Sequence, residues 1–240
     1  MMKTNRAFLY FTKFEIGLWL SSVVVIATSF VLFQSKNYLT LTASLIGATF
    51  LILNAKGNVW GQVLTVMFSV LYGVISYASA YYGEMITYLG MTAPIAVAAI
   101  VSWLKNPAEN GKNQVKVNQL AQKEYVFLLG LSIAVTVIFY FILAAFDTAV
   151  LWLSTVSVFT SFVGAYLTMR RSEYFAIGYA ANDVVLIVLW LIAASKDSSY
   201  FSMVICFLVF LINDIYGFFS WLEMKKSQVI GRQRCFEQSA

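Results

Sequence analysis

The side chains of this chain that are best suited to chemistry lie in one apolar stretch, residues 174–195. Drawn as a helix at about 100° per residue, this stretch places four of them within one arc: Tyr179, Asn182, Asp183 and Trp190. An ionisable side chain at mid-span is costly if it faces lipid. We therefore expect Asp183 to point towards a partner or a wet cavity.

Two further stretches carry polar residues of the same kind: Gln62, Thr65 and Tyr72 in residues 58–82, and Asn213, Asp214 and Tyr216 in residues 199–222. Aromatic rings stack on flat bodies and attract cations, amides bond hydroxyl or amide groups, and carboxylates balance positive charge. Together these groups predict a site for a small, flat, hydroxylated molecule, cationic if Asp183 is ionised. For Asn213 and Asp214, hydrogen bonding between neighbouring helices explains the pattern equally well.

The composition indicates that most of this chain is surrounded by lipid. Of its 240 residues 60% are hydrophobic and 11% charged, with a mean hydropathy of +0.78, whereas soluble domains average about 25% charged residues. With no His and only Cys206 and Cys235, the sequence predicts no metal site, no disulfide framework and no Cys/His nucleophile. We expect no cofactor.

Eight stretches approach the roughly 20 apolar residues that a membrane-spanning helix requires. Because lipid offers no partners for backbone groups and the alternation of barrel strands is missing, an all-α membrane protein is predicted. The stretches are residues 16–33, 38–53, 58–82, 85–104, 125–146, 148–169, 174–195 and 199–222. Four tryptophans near their ends are predicted interfacial anchors: Trp19, Trp103, Trp152 and Trp221.

The basic residues predict the orientation. Eight spans place fourteen of the 16 Lys and Arg on one side of the membrane, and only Lys36 and Lys196 on the other. By the positive-inside rule both termini and the loop 105–124 are cytoplasmic, in a multi-pass protein of the inner (plasma) membrane. Because topology already explains the basic tail, we expect no nucleic-acid partner.

An internal repeat organises the chain. At a shift of 117 Thr40 and Ser44 fall on Ser157 and Ser161, and at 118 residues 102–104 fall on 220–222. Three-helix units placed in parallel need one extra crossing between them. The predicted segments are an N-terminus with an extra helix (1–37), a first unit (38–104), a loop and linker helix (105–147), a second unit (148–222) and a cytoplasmic tail (223–240).

Parallel repeats favour a transporter that holds its substrate near the midplane, and a homo-oligomer is compatible with such a bundle. One rival is a membrane-embedded enzyme in which Asp183 and Asp214 form an acid/base pair. Against it, we expect Asp183 near mid-span and Asp214 closer to the cytoplasmic end. Another rival is a binding or docking subunit that uses the loop 105–124.

Several local strings resemble the PnuC family of vitamin and nucleoside transporters, and the resemblance covers about residues 38–226. The strings are Asn54-Ala-Lys-Gly-Asn-Val-Trp-Gly-Gln62, Leu71-Tyr-Gly-Val-Ile-Ser-Tyr77, Tyr81-Tyr-Gly-Glu84, Ser102-Trp-Leu-Lys105 and Ile215-Tyr-Gly-Phe-Phe-Ser-Trp221. Their order and spacing match the family. One departure is Tyr179, which stands where the family often carries Trp four residues before an Asn or Asp.

The resemblance implies a SWEET-like fold in parallel 3+1+3 form and facilitated diffusion of nicotinamide riboside, trapped inside by phosphorylation. On this hypothesis Tyr179 and Trp190 stack on the base, Asn182 and Gln62 bond the ribose or carboxamide, and Asp183 balances the positive ring. No coupling ion is required, because the membrane potential pulls a cation inward. Related branches of the family suggest thiamine, riboflavin or a deoxynucleoside as alternative substrates.

Overall fold

The computed structural model describes residues 10–33, 37–108 and 114–239, with side chains up to residue 231. Some of the sequence predictions fall outside this part of the chain. These are the predictions for the basic residues Lys3, Arg6, Lys36, Lys112, Arg232 and Arg234, and for Cys235.

The described residues form helices and no strands longer than a single bridge. The helices are α1 (Lys13–Leu32), α2 (Tyr38–Ala55), α3 (Val59–Ala78), α4 (Tyr82–Thr87), α5 (Ala93–Leu104), α6 (Gln122–Ala145), α7 (Leu151–Met169), α8 (Phe175–Ala194) and α9 (Phe201–Ser239). A π-helical turn, Tyr88–Thr92, joins α4 to α5, so that 82–104 is one span. Eight helical segments of the described chain are long and apolar enough to cross a membrane, which confirms the predicted fold class.

The fourth span begins at Tyr82, three residues earlier than predicted, and contains the π-helical turn. Pro94 follows this turn in the first residues of α5. Proline has no amide hydrogen to bond the carbonyl four residues earlier, and a wider turn accommodates this break. The earlier start places Glu84 inside a helix, where it is completely buried.

The final helix continues through the predicted tail, well past residue 222. Its continuation holds the loop that precedes α6. Gln228 accepts a hydrogen bond from the Val117 amide at 2.9 Å and donates one to the Val115 carbonyl at 3.0 Å. Lys225 pairs with Glu173 at 2.5 Å, just before α8.

The helices pack as two similar groups. The first comprises α2, α3 and the α4–α5 span, and the second comprises α7, α8 and α9. The first helix of each group contacts the last helix of the other, α2 against α9 and α7 against α5. Likewise α1 packs on α2, and α6 packs on α7. The packing is therefore reciprocal between the two groups, and the repeat itself stays a prediction.

Two Ser–Trp pairs make matching contacts in the two groups. Trp103 donates to the carbonyl of residue 168 at 2.9 Å, and Ser102 to that of residue 169 at 2.8 Å. Trp221 donates to the carbonyl of residue 54 at 2.7 Å, and Ser220 to that of residue 55 at 2.8 Å. Residues 54 and 168 accept equivalent bonds, so the contacts relate α2 to α7 at a shift of 114 residues. The sequence match gave a shift of 117 residues for these helices. Both rings are buried, so the prediction that they are interfacial anchors is wrong.

Nine of the ten basic residues with described side chains lie at one end of the bundle, which we call the basic end: Lys13, Lys56, Lys105, Lys116, Lys123, Arg170, Arg171, Lys225 and Lys226. Here Glu15, in the first turn of α1, pairs with Lys56 at 3.1 Å and accepts a hydrogen bond from Tyr216 at 2.8 Å. The Val115 amide donates to the Gly57 carbonyl at 2.9 Å. The N-terminal end of α1, the α2–α3 turn, the long loop and α9 therefore meet at the same end.

Candidate functional site

A central cavity of about 40 Å³ lies between the two helix groups. Helices α2, α3, α8 and α9 and the π-helical turn supply its walls. Its lining consists of Phe50, Leu51, Asn54, Thr65, Phe68, Ser69, Tyr88, Thr92, Phe175, Tyr179, Asn182, Asp183, Phe207, Phe210 and Asp214. Five of the ten residues predicted for the substrate site line it: Thr65, Tyr179, Asn182, Asp183 and Asp214.

Asp183 on α8 and Asp214 on α9 face each other across this cavity, close enough to share a hydrogen bond. Both side chains are buried. The expectation that Asp214 lies nearer the cytoplasmic end, apart from Asp183, is therefore wrong. The lining residues include no Lys or Arg. Because two like charges so close in a medium of low dielectric cannot both stay ionised, the pair holds at most one negative charge.

Asn182 lies on the adjoining face of α8, and its carbonyl oxygen is saturated. That oxygen is within 3.0 Å of the hydroxyls of Ser157 and Thr160 and within 2.9 Å of the Ser161 hydroxyl, all on α7. With the carbonyl oxygen occupied, the amide nitrogen is directed to the side of the cavity, where it meets the Tyr88 hydroxyl. Asn182 thus presents a hydrogen-bond donor on the cavity side of α8.

A short polar chain lies on the opposite wall. Gln62 donates to the Asn54 side-chain oxygen at 2.9 Å, and the Asn54 amide nitrogen lies 3.4 Å from the Thr65 hydroxyl. Asn54 and Thr65 line the cavity, whereas Gln62 lies behind them. Gln62 therefore orients Asn54, which was not among the predicted site residues.

Tyr72 and Trp190 lie behind the cavity lining, on the side opposite the basic end, and we call them the wall between the two cavities. Both rings are fully buried, and Trp190 Nε1 donates to the Tyr72 hydroxyl at 2.8 Å. Tyr72 stacks on Phe68, a lining residue, at 5.5 Å between ring centroids. On its other side Trp190 lines a second pocket of about 420 Å³, which we call the outer pocket. The pair therefore separates the two cavities.

Asn213 and Tyr216 lie away from the cavity and attach α9 to α1. The Asn213 amide donates to the Ser22 hydroxyl at 3.0 Å and to the Val209 carbonyl at 2.8 Å. Tyr216 bonds Glu15, as described above. For Asn213 the alternative interpretation from sequence, hydrogen bonding between helices, describes the contact that the structure contains.

Sequence reasoning missed five polar residues at or beside the cavity: Asn54, Ser69, Glu84, Tyr88 and Thr92. Asn54 follows the predicted span 38–53, and Glu84 precedes the predicted span 85–104. Both were therefore assigned to loops. A polar residue at the end of an apolar stretch gives a weak signal, because only packing decides whether it lies inside the bundle. Tyr88 had no signal that distinguished it from the other 13 tyrosines.

Known proteins share this architecture. The crystal structure of the vitamin B3 transporter PnuC matches with a TM-score of 0.80 at 23% identity, covering 91% of this chain and 94% of that one. This match shows a common fold. The nicotinamide riboside transporter PnuC of Neisseria mucosa is 24% identical over 220 residues, which are 90% of this chain and 83% of that protein.

A sequence family described as nicotinamide mononucleotide transporters matches residues 37–223. The match begins at the residue before α2 and ends within α9, so it contains both helix groups and every residue that lines the central cavity. It leaves out α1, the extra helix, and the end of α9. The chain belongs to the nicotinamide mononucleotide transporter family of membrane transporters.

Proposed function

We propose that this chain carries nicotinamide riboside across the membrane through the central cavity. The observation that supports this most strongly is the cavity lining: aromatic rings, one Asn donor and a paired Asp183 and Asp214, without a basic side chain among them. Rings stack on the pyridinium, the carboxyl pair balances its charge, and Asn182 bonds a ribose or carboxamide oxygen. The carboxyl pair serves as an anion for binding and not as an acid/base catalyst.

The same lining argues against the mononucleotide after which the family is named. A phosphate group carries about two negative charges at neutral pH. Sites that bind phosphate supply Arg, Lys or a helix N-terminus, whereas this cavity presents Asp183 and Asp214. Because the phosphate would be repelled, the charge of the lining suits the riboside and does not suit its 5′-phosphate.

Transport is proposed to be uniport, with phosphorylation inside the cell trapping the product. A cation moves inward down the membrane potential at about 2.3 kcal/mol per 100 mV, so no coupling ion is needed. We also propose that the basic end faces the cytoplasm of an inner-membrane protein, following the positive-inside rule. The outer pocket then faces the opposite side.

Uptake into liposomes that contain only the purified chain tests this function. We expect saturable uptake of labelled nicotinamide riboside without an ion gradient, strengthened by a potential that is negative inside. Unlabelled nicotinamide mononucleotide should compete at least tenfold less well, because its phosphate meets the carboxyl pair. Protein-free liposomes are the control.

Three results would contradict the proposal in different ways. Absence of uptake would mean that the chain does not transport nicotinamide riboside. If thiamine, riboflavin or a deoxynucleoside competes more strongly than unlabelled nicotinamide riboside, that compound is the better candidate for the substrate. Uptake that requires a proton gradient would exclude uniport.

The wall between the two cavities must open for a substrate to pass from the outer pocket. In Tyr72→Phe the hydrogen bond to Trp190 is lost while the ring remains, which costs the closed wall about 1 kcal/mol. We expect roughly fivefold faster labelling of Thr65→Cys by a membrane-impermeant thiol reagent added at the outer side. The background is a chain with Cys206→Ala and Cys235→Ala.

Tyr77→Phe is the matched control, since Tyr77 lies on the same helix with its ring exposed. It should leave the labelling rate of Thr65→Cys unchanged. Equal rates in Tyr72→Phe and Tyr77→Phe would show that the Tyr72–Trp190 bond does not hold the wall closed.

A further inference from the structure

Glu84 is a buried carboxyl group that the site described above does not use. It lies in the first turn of α4, and its side chain has no exposed surface. Glu84 Oε2 lies 3.3 Å from the Ser157 hydroxyl on α7. Within the described chain, Oε1 has no hydrogen-bond partner, and Glu84 takes part in none of the ion pairs, which involve Glu15, Glu124 and Glu173.

An ionised carboxylate in this position would be very unfavourable. Removing a carboxylate from water costs several kcal/mol, and burial is tolerated when a cation or several hydrogen bonds compensate it. Glu84 has a single hydroxyl neighbour. A protonated carboxyl group avoids this cost, because it is neutral and its own O–H can donate.

The hydrogen bonds of Ser157 also indicate that Glu84 is protonated. The Ser157 oxygen is 3.3 Å from Glu84 Oε2 and 3.0 Å from the Asn182 carbonyl oxygen, and both neighbours are acceptors if Glu84 is ionised. A hydroxyl has one proton and cannot donate to both. If Glu84 is protonated, it donates to Ser157, and Ser157 is then free to donate to Asn182.

The contact between the helices fixes this arrangement. At Gly83, next to Glu84, an added Cβ would lie 2.9 Å from Cβ and 3.0 Å from Oγ of Ser154 on α7. Such close packing leaves α4 little freedom to slide along α7. Glu84 is therefore held opposite Ser157, one helical turn beyond Ser154.

We propose that Glu84 is a positioning residue for substrate recognition: its protonated carboxyl group donates to Ser157, and Ser157 then joins Thr160 and Ser161 in holding the Asn182 carbonyl oxygen. The Asn182 NH₂ group is thereby turned towards the substrate. The proposal rests on the proposed function, because it assigns a task to the Asn182 donor. It also makes Glu84 uncharged, in contrast to the pair formed by Asp183 and Asp214.

Binding of labelled nicotinamide riboside to the purified full chain in detergent, measured as Kd per folded protein, tests the proposal. Glu84→Ala should raise Kd about tenfold, the effect of one misaligned hydrogen bond to a buried group. Glu84→Gln should stay within about twofold, since its amide donates to Ser157 without a charge. Adding Glu84→Ala to Asn182→Ala should weaken binding no further than Asn182→Ala alone.

A second measurement needs no ligand. The infrared spectrum of the wild-type chain minus that of Glu84→Gln should contain the carbonyl band of a protonated carboxyl group. Absence of this band would overturn the proposal even if riboside binds. Failure of the wild-type chain to bind riboside would instead overturn the proposed function, which keeps the two failures distinguishable.

Two binding results would also overturn the proposal. An unchanged Kd in folded Glu84→Ala would leave Glu84 a purely structural role. A loss in Glu84→Gln that affects the cationic riboside and spares an uncharged analogue would mean that Glu84 carries a charge.

Discussion

Replacing both aspartates of the central cavity, Asp183→Asn with Asp214→Asn, is expected to weaken binding of nicotinamide riboside roughly 30- to 100-fold. On the proposed function the pair carries one negative charge opposite a singly charged pyridinium. At a separation of about 6 Å and an effective dielectric constant of about 20, this attraction contributes on the order of 2–3 kcal/mol. An uncharged analogue, the reduced riboside, should lose much less.

The single variants test whether the two carboxyl groups share a proton. In Asp183→Asn or Asp214→Asn the remaining carboxyl group has an amide neighbour that donates a hydrogen bond, so it keeps a negative charge. Each single variant should therefore bind the cationic riboside within a few-fold of the wild-type chain. A loss in one single variant as large as that in the double variant would contradict the shared charge.

Asp197→Asn is the matched control for these substitutions. Asp197 lies beyond the end of α8, and its carboxylate accepts a hydrogen bond from the Ser199 amide at 2.9 Å. This bond holds the pKa of Asp197 below its usual value. The substitution should leave riboside binding unchanged, because the group is exposed and Asn can cap the same turn. Isothermal titration or equilibrium dialysis with both ligands measures all five proteins.

Gly178→Ala is expected to have the largest effect on stability of any Gly→Ala substitution in the second helix group. An added Cβ at Gly178 would lie 2.7 Å from the Gly164 nitrogen and 2.7 Å from its Cα. These are backbone atoms, which cannot rotate away, so α7 and α8 would have to separate. Overpacking of this kind costs about 3 kcal/mol, which should lower Tm by on the order of 5–10 °C.

Gly130→Ala provides the same chemical change without the clash. Gly130 lies within α6, and an added Cβ there has no neighbour within 4 Å. Since Ala favours helices over Gly by about 1 kcal/mol, Tm should stay the same or rise slightly. The fluorescence-detected Tm of both variants in detergent measures the difference. A Gly178→Ala protein as stable as Gly130→Ala would show that the α7–α8 contact is looser than the structure indicates.

The sequence alone determined the fold class and the family. The physical reason is that lipid requires long apolar helices, and these are visible in composition without knowledge of packing. Asp183 was recognisable for a related reason: a carboxyl group in an apolar span has few explanations other than a partner or a cavity. The Ser–Trp strings 102–103 and 220–221 also predicted a duplication, and in the structure the two strings make matching hydrogen bonds.

Only the tertiary structure decided which polar groups meet. Helical periodicity places Trp190 and Asp183 on the same face of α8, yet they lie about two turns apart, in different layers of the bundle. Trp190 closes the wall towards the outer pocket, while Asp183 lines the central cavity. Periodicity reports the direction of a side chain but neither its depth nor its neighbour on another helix.

The same reasoning explains the pairing of Asp183 with Asp214 and the position of Glu84. Asp183 and Asp214 belong to consecutive helices, and whether they meet depends on how far α9 slides along α8, which no local pattern encodes. Glu84 lies inside a helix because the fourth span begins at Tyr82. A π-helical turn before Pro94 then joins α4 to α5. Apolar patterning fixed the helices, whereas close packing at small residues fixed the depth at which their polar groups face one another.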